Sequence, residues 1–315
     1  MRKVASIIIL FLYTFLGFGQ ILDITQPLFT DEPFFNQTFI KQNQIKSITG
    51  SISSKKVRDI IRTKGLDYYY EFNDDGTLKM QLSSHLSSGI KDSTTVNYSY
   101  NQKGLLSTKR KNDSYGYFSY NYKYDANNNI VLQTYCRDEN KLNSKKAFEL
   151  KKQYIISTDS FSYKKYDDSQ TKKYYYNGYK KVFKEQTNYY NQYGYLTEEY
   201  TKFIIGNNKT KLTYEYDEQG RLFKKHTFTN IANNSKTTEV YTYDKIGNVL
   251  DIKTYHNDKH ISTKQFLYDS KTMLLTAQII QDIATEFLRI IQYRYQFFGE
   301  ETQLQFTDSI GTSLE

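Results

Sequence analysis

Aromatic and polar residues alternate along much of this chain. Between residues 118 and 124 every second residue is Phe or Tyr, and the residues between them are Ser, Asn and Lys. The same alternation occurs at 96–100 and 211–216. A period of two is typical of β-strands that have one aromatic face and one polar face. The pattern therefore predicts β-strands.

A short phrase recurs where these strands end: two aromatic residues, Asp or Asn, then Gly and an aliphatic residue. It is clearest at 214–222 and 241–249. Most copies lie about 26 residues apart, which is enough for two strands, a tight turn and a longer loop. A doubled spacing after Tyr124 leaves room for a degenerate copy near Phe148 and Leu150. One step is irregular, because Tyr176 and Tyr190 are separated by about half the usual period.

The polar residues of the phrase have the positions of turn residues. Asp or Asn at the first place of a four-residue turn and Gly at the fourth are the preferences of a type I turn. Gly accepts a left-handed conformation, and Asn is the next most tolerant residue. We expect looser turns where Lys180 and Thr272 stand in the fourth place. The residues assigned to turns are Asp125, Asn128, Asp217, Gly220, Asp244 and Gly247.

Residues 279–291 fit two patterns. Ile279, Ile283 and Phe287 recur at helical spacing. The repeat instead predicts a strand, a loop near Ala284 and a second strand that ends at Tyr295. We favour the two strands.

The composition agrees with a folded β protein. Of 315 residues, 38% are hydrophobic and 17% are aromatic, with 32 Tyr and no Trp. This is unlike a disordered chain, which is poor in aromatic residues. We predict an all-β fold: a repetitive antiparallel meander of two-strand repeats, in a sheet twisted or curled so that its aromatic face is partly covered. The predicted divisions are a signal peptide (1–19), a leading segment (20–66), the repeat array (67–300) and a C-terminal tail (301–315).

The N-terminus has the features of a secretory signal peptide. Arg2 and Lys3 precede an apolar run that ends at Phe18, and Gly17 and Gly19 are small residues at a cleavage position. The run is shorter than the ~20 residues that a membrane span needs. We therefore expect an exported protein, extracellular or at the cell surface with the periplasm as a further location, and no transmembrane span after processing.

The formal net charge of +9 has two interpretations. The lysines are spread over nearly all predicted strands, which is typical of a solvated polar face. A dedicated polyanion site is the alternative, because a basic surface attracts acidic partners. We favour the solvated face and do not expect a nucleic-acid partner.

Few residues have the spacing that catalysis or metal binding needs. His256 and His260 would share a helix face and could bind zinc there, but a predicted turn separates them. Cys136 is the only Cys, so no intramolecular disulfide forms, and no recognisable base accompanies it. Glu198 and Glu199 are adjacent on a strand and so point to opposite faces. We expect neither an enzyme nor a cofactor, and no metal site.

The aromatic face is the candidate binding surface. Tyr rings stack on ligands, but aromatic contacts between strands also stabilise a sheet without any ligand. Both roles are compatible if part of the face lies in a groove. The candidate binding residues are Tyr98, Tyr100, Tyr122, Tyr124, Tyr214, Tyr216, Tyr241 and Tyr243.

The phrase Tyr-x-Tyr-Asp-x-x-Gly-x-Leu resembles the YD repeat, or RHS repeat, of bacterial secreted and surface proteins. The resemblance covers about residues 67–300 and is strongest at 214–222 and 241–249. It implies a long array of β-strands and an association with sugars or the cell wall. Large members of the family enclose a toxin and carry a Pro-containing self-cleavage motif. This chain departs from them, because no Pro follows Pro33.

These observations lead to three functional hypotheses. The first is a secreted or cell-surface, non-enzymatic binding or scaffold module for glycans or for a protein of the bacterial envelope. The second is an accessory of an RHS-type toxin system that has no toxin of its own. The third, which the residues favour least, is a secreted hydrolase.

Overall fold

Antiparallel strands make up most of the structure. The computed structural model describes residues 20–23, 35–87, 89–113, 115–142, 148–206, 208–229 and 235–299. The predicted signal peptide and the tail at 301–315 lie outside the described residues. Within them, one helix precedes eighteen strands. These elements are α1 (Gln37–Gln42), β1 (Ile45–Lys56), β2 (Arg62–Phe72), β3 (Leu78–Ser87), β4 (Ile90–Tyr100), β5 (Leu106–Asp113), β6 (Gly116–Tyr124), β7 (Ile130–Asn140), β8 (Leu150–Asp167), β9 (Gln170–Tyr176), β10 (Val182–Tyr190), β11 (Leu196–Phe203), β12 (Lys209–Tyr216), β13 (Leu222–Thr229), β14 (Lys236–Tyr243), β15 (Val249–His256), β16 (Lys259–Tyr268), β17 (Leu275–Asp282) and β18 (Phe287–Phe297).

The sheet closes on itself. Each strand pairs antiparallel with the next along the chain, and β1 pairs with both β2 and β18. At the closure Ile48 lies opposite Tyr295 and Ile52 opposite Ile291. The predicted antiparallel meander is therefore confirmed, but the prediction of a curled, partly covered sheet is wrong. The sheet is a complete eighteen-strand barrel, because the first strand supplies the partner that the last strand lacks.

Two sequence assignments concern the ends of the array. Residues 279–291 belong to β17 and β18, so the strand interpretation is confirmed over the helical one. β1 lies wholly within the predicted leading segment, and its pairing closes the barrel. The leading segment therefore contains a structural strand that the repeat pattern does not mark.

Seven hairpin turns share one hydrogen-bonding pattern. In all seven the N–H of the fourth residue donates to the carbonyl of the first, as Gly220 does to Asp217. In every turn but the one at Asn73, the side-chain oxygen of the first residue also accepts from the backbone, as Asp217 does from Gln219 and Arg221. The fourth residue is left-handed, with φ of 77° at Gly220 and 63° at Asn128. The seven turns begin at Asn73, Asn101, Asp125, Asn177, Asn191, Asp217 and Asp244.

The two exceptional turns behave differently from each other. Lys180 adopts a φ of 59° and closes the same turn, so the expectation of a looser turn there is wrong. The turn at Asp269 is one residue longer. Met273 takes the left-handed position and donates to the Asp269 carbonyl. Without Gly in the fourth place, the Asn177 turn has a strained left-handed Lys180, and the Asp269 turn has one additional residue.

The irregular spacing has a topological cause. Six of the seven shared turns lie at one end of the barrel, which we call the turn rim, while the Asn177 turn joins β9 to β10 at the opposite rim. The turn-rim connection before it runs through Asp168 and Ser169, between β8 and β9. The residues near Phe148 belong to an opposite-rim connection, so the expected degenerate copy at that place is wrong.

Tyrosine hydroxyls join adjacent hairpins at the turn rim. The backbone ladder between β13 and β14 ends at Lys224 and Val240. Beyond it, the Tyr243 hydroxyl donates to the Leu222 carbonyl over 2.6 Å. The same bond occurs seven times around the barrel and continues the pairing where the strands separate. The seven donor–acceptor pairs are Tyr100–Leu78, Tyr124–Leu106, Tyr163–Ile130, Tyr216–Leu196, Tyr243–Leu222, Tyr268–Val249 and Tyr295–Leu275.

The N-terminal segment fills part of the turn-rim mouth. We call residues 20–23 and 35–44 the plug. Ile21, Phe39 and Ile40 are buried in one apolar cluster with residues of β1, β2 and β13–β18. A Cβ on Gly76 would lie 2.2 Å from the Gln37 carbonyl oxygen, so α1 packs directly on the β2–β3 turn. The face that contacts the plug is therefore the inner face of the barrel.

Replacing Lys180 with Gly should stabilise the protein. A left-handed conformation costs an L-residue roughly 1–2 kcal/mol, and Gly avoids this cost. Gly also loses more conformational entropy on folding than Lys does, which offsets part of the gain. We expect the Lys180→Gly variant to unfold with a free energy up to about 1 kcal/mol higher, measured by urea denaturation. The reverse change, Gly104→Ala, is the control: its φ is 75°, its Cβ would meet nothing within 4 Å, and it should destabilise. A destabilised Lys180→Gly variant would contradict the explanation.

Removing one rim hydroxyl should weaken the barrel. Tyr243→Phe keeps the ring but deletes the donor to the Leu222 carbonyl, and we expect a loss of about 1–2 kcal/mol in the free energy of unfolding. Tyr189, exposed on the outer face of β10, is the matched control, and Tyr189→Phe should change this free energy by less than about 0.5 kcal/mol. Equal effects in the two variants would show that the rim bonds contribute nothing specific.

Candidate functional site

The eight candidate tyrosines all lie on the inner face. Tyr98, Tyr100 and Tyr124 border one cavity near the turn rim. Tyr122 packs beside them against Val96 and Tyr98. Tyr214, Tyr216, Tyr241 and Tyr243 lie on the far side of the barrel, in or against the apolar cluster that contains the plug. The structure therefore brings three of the eight candidates to a common cavity and places four others in a packed core.

The cavity has a volume of about 490 Å³. This volume is within the range of roughly 300–1,000 Å³ for small-molecule sites. The plug forms one side of it, and the turn-rim ends of β2 to β8 form the other. Aromatic and aliphatic side chains predominate in its wall. The lining residues are Phe35, Gln37, Phe72, Gly76, Thr77, Leu78, Tyr98, Tyr100, Gly104, Leu105, Leu106, Tyr124, Asn128, Asn129, Ile130 and Tyr163.

Most polar atoms of this wall already have partners. The hydroxyls of Tyr100, Tyr124 and Tyr163 donate to backbone carbonyls across the rim. The Thr77 hydroxyl donates to Asp75 and accepts from the Asn73 side chain. Burial raises the pKa of Tyr100 and raises that of Tyr163 to about 12, so these rings stay neutral. The cavity therefore presents ring faces and alkyl groups to a ligand.

Three important lining residues were not among the sequence candidates. Phe35 comes from the plug and contacts Tyr70 and Phe72 edge-on, with ring centroids 4.9 and 5.5 Å apart. No repeat or alternation marks it. Tyr163 was detectable, because Phe161 and Tyr163 alternate with polar residues just before the Asp167 turn. Gln37 carries no sequence signal of this kind.

On β9 and β10 the inner wall carries two lysines that lie among aromatic rings. Lys173 lies beside Tyr163, with its Nζ 5.4 Å from that ring, 4.4 Å from Phe161 and 4.7 Å from Tyr175. The Lys184 Nζ lies 3.7 Å from the Tyr175 ring. Such contacts are cation–π interactions. The charged section and the cavity share Tyr163, so they are neighbouring parts of one inner surface.

Burial controls the ionisation of this charged section. It lowers the pKa of Lys173 to about 8, with a further contribution from the charge of Lys184. Burial also lowers the pKa of Lys184. Burial also raises the pKa of Glu199 and of Asp159, the two carboxyls whose charges act on these lysines. All four groups are therefore easier to neutralise than they would be in water.

The adjacent residues Glu198 and Glu199 are separated by the strand. Glu198 faces outward and forms an ion pair of 2.7 Å with Lys211. Glu199 faces inward, toward the side of Lys173 and Lys184. A pair of carboxylates for acid–base catalysis is therefore not assembled from these two residues, in agreement with the alternation of a strand.

The remaining chemical candidates are structural. Asn257 and Asp258 form a left-handed two-residue turn between His256 and His260. Cys136 is buried beside the Asn121 amide, and burial raises the pKa of its thiol, which disfavours the thiolate. In the part of the chain that the structure describes, no group of three His, Cys, Asp or Glu residues could hold a metal ion. None of the described helices is long and apolar enough to cross a membrane.

Comparison with known proteins gives only distant likenesses. The sequence matches no protein-family model and no curated protein. A porin-like protein from Bacteroides uniformis is 12% identical over 80% of this chain and 98% of its own, with a TM-score of 0.39. A porin-like protein from Bacteroides vulgatus is 11% identical over 68% and 97%, with a TM-score of 0.31. A LolA superfamily protein from Nitrosomonas europaea is 10% identical over 81% and 88%, with a TM-score of 0.18. At these TM-scores function must be argued from this chain's own residues.

Replacing Lys173 with Met should stabilise the protein in a pH-dependent way. At about pH 7 the folded wild type holds a half-buried charge that Met removes. Above about pH 8 the folded lysine loses its proton, while the unfolded chain keeps its own until about pH 10.4, so wild-type stability rises in this window. We expect the gain of Lys173→Met in the free energy of unfolding to be largest at about pH 7 and to shrink toward about pH 10.

The neighbouring residue Lys172 supplies the control for this measurement. It faces outward and pairs with Glu185 at 2.8 Å, and this partner raises its pKa. Lys172→Met should give no gain at neutral pH. A constant gain for Lys173→Met over the whole pH range would show that packing, and not the charge, is responsible.

Proposed function

We propose that this protein is a non-enzymatic binding module of the bacterial envelope whose ligand occupies the cavity at the turn rim. The observation that carries the proposal is the cavity of about 490 Å³, walled by the aromatic residues of the repeat and by the plug. Exposed aromatic and aliphatic surface in a concave site is the usual basis of small-molecule binding. The export predicted from residues 1–19 accords with this role.

The chemistry of the wall favours an apolar ligand over a glycan. A sugar needs many hydrogen-bonding partners, and the hydroxyls of Tyr100, Tyr124 and Tyr163 already donate to backbone carbonyls. A group that leaves polar atoms unpaired on binding loses affinity. Leu78, Leu106 and similar side chains instead offer apolar area, which contributes about 25 cal/mol per Å² buried.

The outer face supports contact with water. Half-exposed outward positions of β1 are Thr49, Ser51 and Ser53. Outward lysines on several strands pair with carboxylates of an adjacent strand. These pairs are Lys79–Glu71 at 2.6 Å, Lys172–Glu185 at 2.8 Å and Lys211–Glu198 at 2.7 Å. Hydroxyl and ion-paired side chains thus occupy part of the outer face, while the apolar cluster with the plug and the cavity lie inside the barrel, where a ligand would be shielded from water.

The proposal is tested with N-phenyl-1-naphthylamine, a neutral apolar probe whose fluorescence increases when it leaves water. We expect saturable binding to the wild type. Ile130→Trp should weaken it at least about tenfold by filling the cavity, and Leu105→Trp, at a second point of the wall, should do the same. Lys123→Trp is the control, because Lys123 is exposed and faces outward between Tyr122 and Tyr124.

Two results would contradict the proposal. One is the absence of saturable fluorescence with the wild type. The other is unchanged affinity in both cavity variants when their circular dichroism matches that of the wild type. A glycan array of the same protein examines the glycan prediction separately, and binding there that survives Ile130→Trp would place a sugar site outside the cavity.

A further inference from the structure

Two lysines on the inner wall lack the ion pairs that outward lysines form. Among the described residues, no carboxylate oxygen lies within 4.0 Å of the Nζ of Lys173 or Lys184. Lys172, the immediate neighbour of Lys173, faces outward and pairs with Glu185. Even on the inner face, Lys225 pairs with Glu239 at 3.2 Å. Lys173 and Lys184 therefore differ from the paired inner lysine Lys225 in having aromatic rings as their contacts.

Aromatic rings, and not carboxylates, hold the two ammonium groups in place. Phe161, Tyr163 and Tyr175 surround Lys173, and Tyr175 also contacts Lys184. A ring face stabilises a cation without neutralising it. The Lys–ring contacts thus leave both positive charges available to a further group, and the pKa values of both lysines are lowered by burial.

The opposite charges that act on this pair come from two other strands. Asp159 on β8 and Glu199 on β11 act on the lysines from beyond ion-pair distance, and Gln186 lies beside Lys173 on β10. The inner surface therefore offers two ammonium groups that no side chain contacts as a direct counterion. An anionic group that reached both would supply charged hydrogen bonds that the protein itself does not make.

The position of the pair relates it to the cavity. Tyr163 lines the cavity, and its ring lies 5.4 Å from the Lys173 Nζ. A molecule with its apolar body among Tyr98, Tyr100 and Leu106 could extend past Tyr163 and place a charged end at the lysines. The combination of an apolar cavity and an adjoining cationic pair matches the chemistry of an anionic amphiphile.

We propose that Lys173 and Lys184 form the subsite for the anionic head of an amphiphile, a carboxylate on a long alkyl chain, whose apolar body occupies the turn-rim cavity. This inference rests on the proposed function, since it assigns the ligand class of the same site. The cavity supplies affinity through apolar burial, and the lysine pair supplies selectivity for the head group.

The test compares three amphiphiles that share one alkyl chain: dodecanoate, dodecanol and dodecyltrimethylammonium. Each displaces N-phenyl-1-naphthylamine from the purified protein at about pH 7, at concentrations below the micelle concentration of the two ionic amphiphiles and below the solubility limit of dodecanol. We expect dodecanoate to act at about tenfold lower concentration than dodecanol, because its carboxylate can accept charged hydrogen bonds from both ammonium groups and the hydroxyl of dodecanol cannot. The cationic amphiphile should be the weakest of the three.

Lysine variants then show which residues cause the preference for dodecanoate over dodecanol. In the double variant Lys173→Met/Lys184→Met, the preference for dodecanoate should disappear while dodecanol displaces as before. Each single variant should lose part of it, which keeps the test usable if the double variant does not fold. Lys172→Met, the outward neighbour, should retain the full preference.

The outcomes separate this inference from the proposed function. Equal displacement by dodecanoate and dodecanol in the wild type, or a preference that survives in the folded lysine variants, would overturn the anionic subsite and leave the cavity intact. Preference for the cationic amphiphile would show that Asp159 and Glu199 dominate the site, and would also overturn it. Failure of the naphthylamine probe itself to bind would overturn the proposed function.

Discussion

The pairing of β1 with both of its neighbours, β2 and β18, is the constraint on which the rest of the structure depends. An antiparallel meander of hairpins forms from local contacts, but it leaves two free edges. Closing it requires Ile48 to meet Tyr295 from the other end of the chain. Closure removes both edges and creates an inside. Only then does the alternation of each strand separate a shielded wall from an outer surface.

The tyrosines of the repeated phrase have two roles: their hydroxyls hold neighbouring hairpins together, and their rings form either core or cavity wall. At the turn rim, neighbouring hairpins separate because their backbone ladders end, as at Lys224 and Val240. The second Tyr of the phrase crosses this gap through its hydroxyl, which leaves its ring directed at the interior. Where the plug covers the rings, near Tyr241 and Tyr243, they form core. Where it does not, near Tyr100 and Tyr124, the same rings form a cavity wall. The position of the plug therefore decides which repeats are core and which line a site.

Local structure was predictable from the sequence, because its determinants are local. Asp217 and Gly220 specify a turn through contacts within four residues, and alternation specifies the adjoining strands. Long-range structure was not. β1 carries no copy of the phrase, so nothing in residues 45–56 indicates a partner near residue 295. The turn at Asn177 keeps the usual first residue and hydrogen bonds but lies at the opposite rim, which only the order of the strands reveals.

The candidate site was predictable only in part, for the same physical reason. Alternation placed Tyr98, Tyr100 and Tyr124 on one face, but their common cavity depends on Phe35 of the plug and on Tyr163, four strands beyond Tyr98. The inward, unpaired position of Lys173 and Lys184 could not be predicted from the sequence. In the sequence Lys172 and Lys173 are adjacent and alike, and only the direction of the strand makes one an outward ion-pair partner and the other an inward, unpaired charge.

Lys173 and Lys184 are exceptions to the charge pairing and apolar burial that stabilise the neighbouring parts of the barrel. Ion pairs join neighbouring strands on the outer face, and apolar rings are buried against the plug. Both arrangements lower the free energy of the folded state. Leaving Lys173 and Lys184 without direct counterions on a half-buried wall raises it. Such departures from local consistency are expected at functional sites, where a group is kept ready for a partner outside the chain. Their position at the end of the turn-rim cavity makes that partner a ligand whose charged end lies at the lysines and whose apolar body lies at the turn rim.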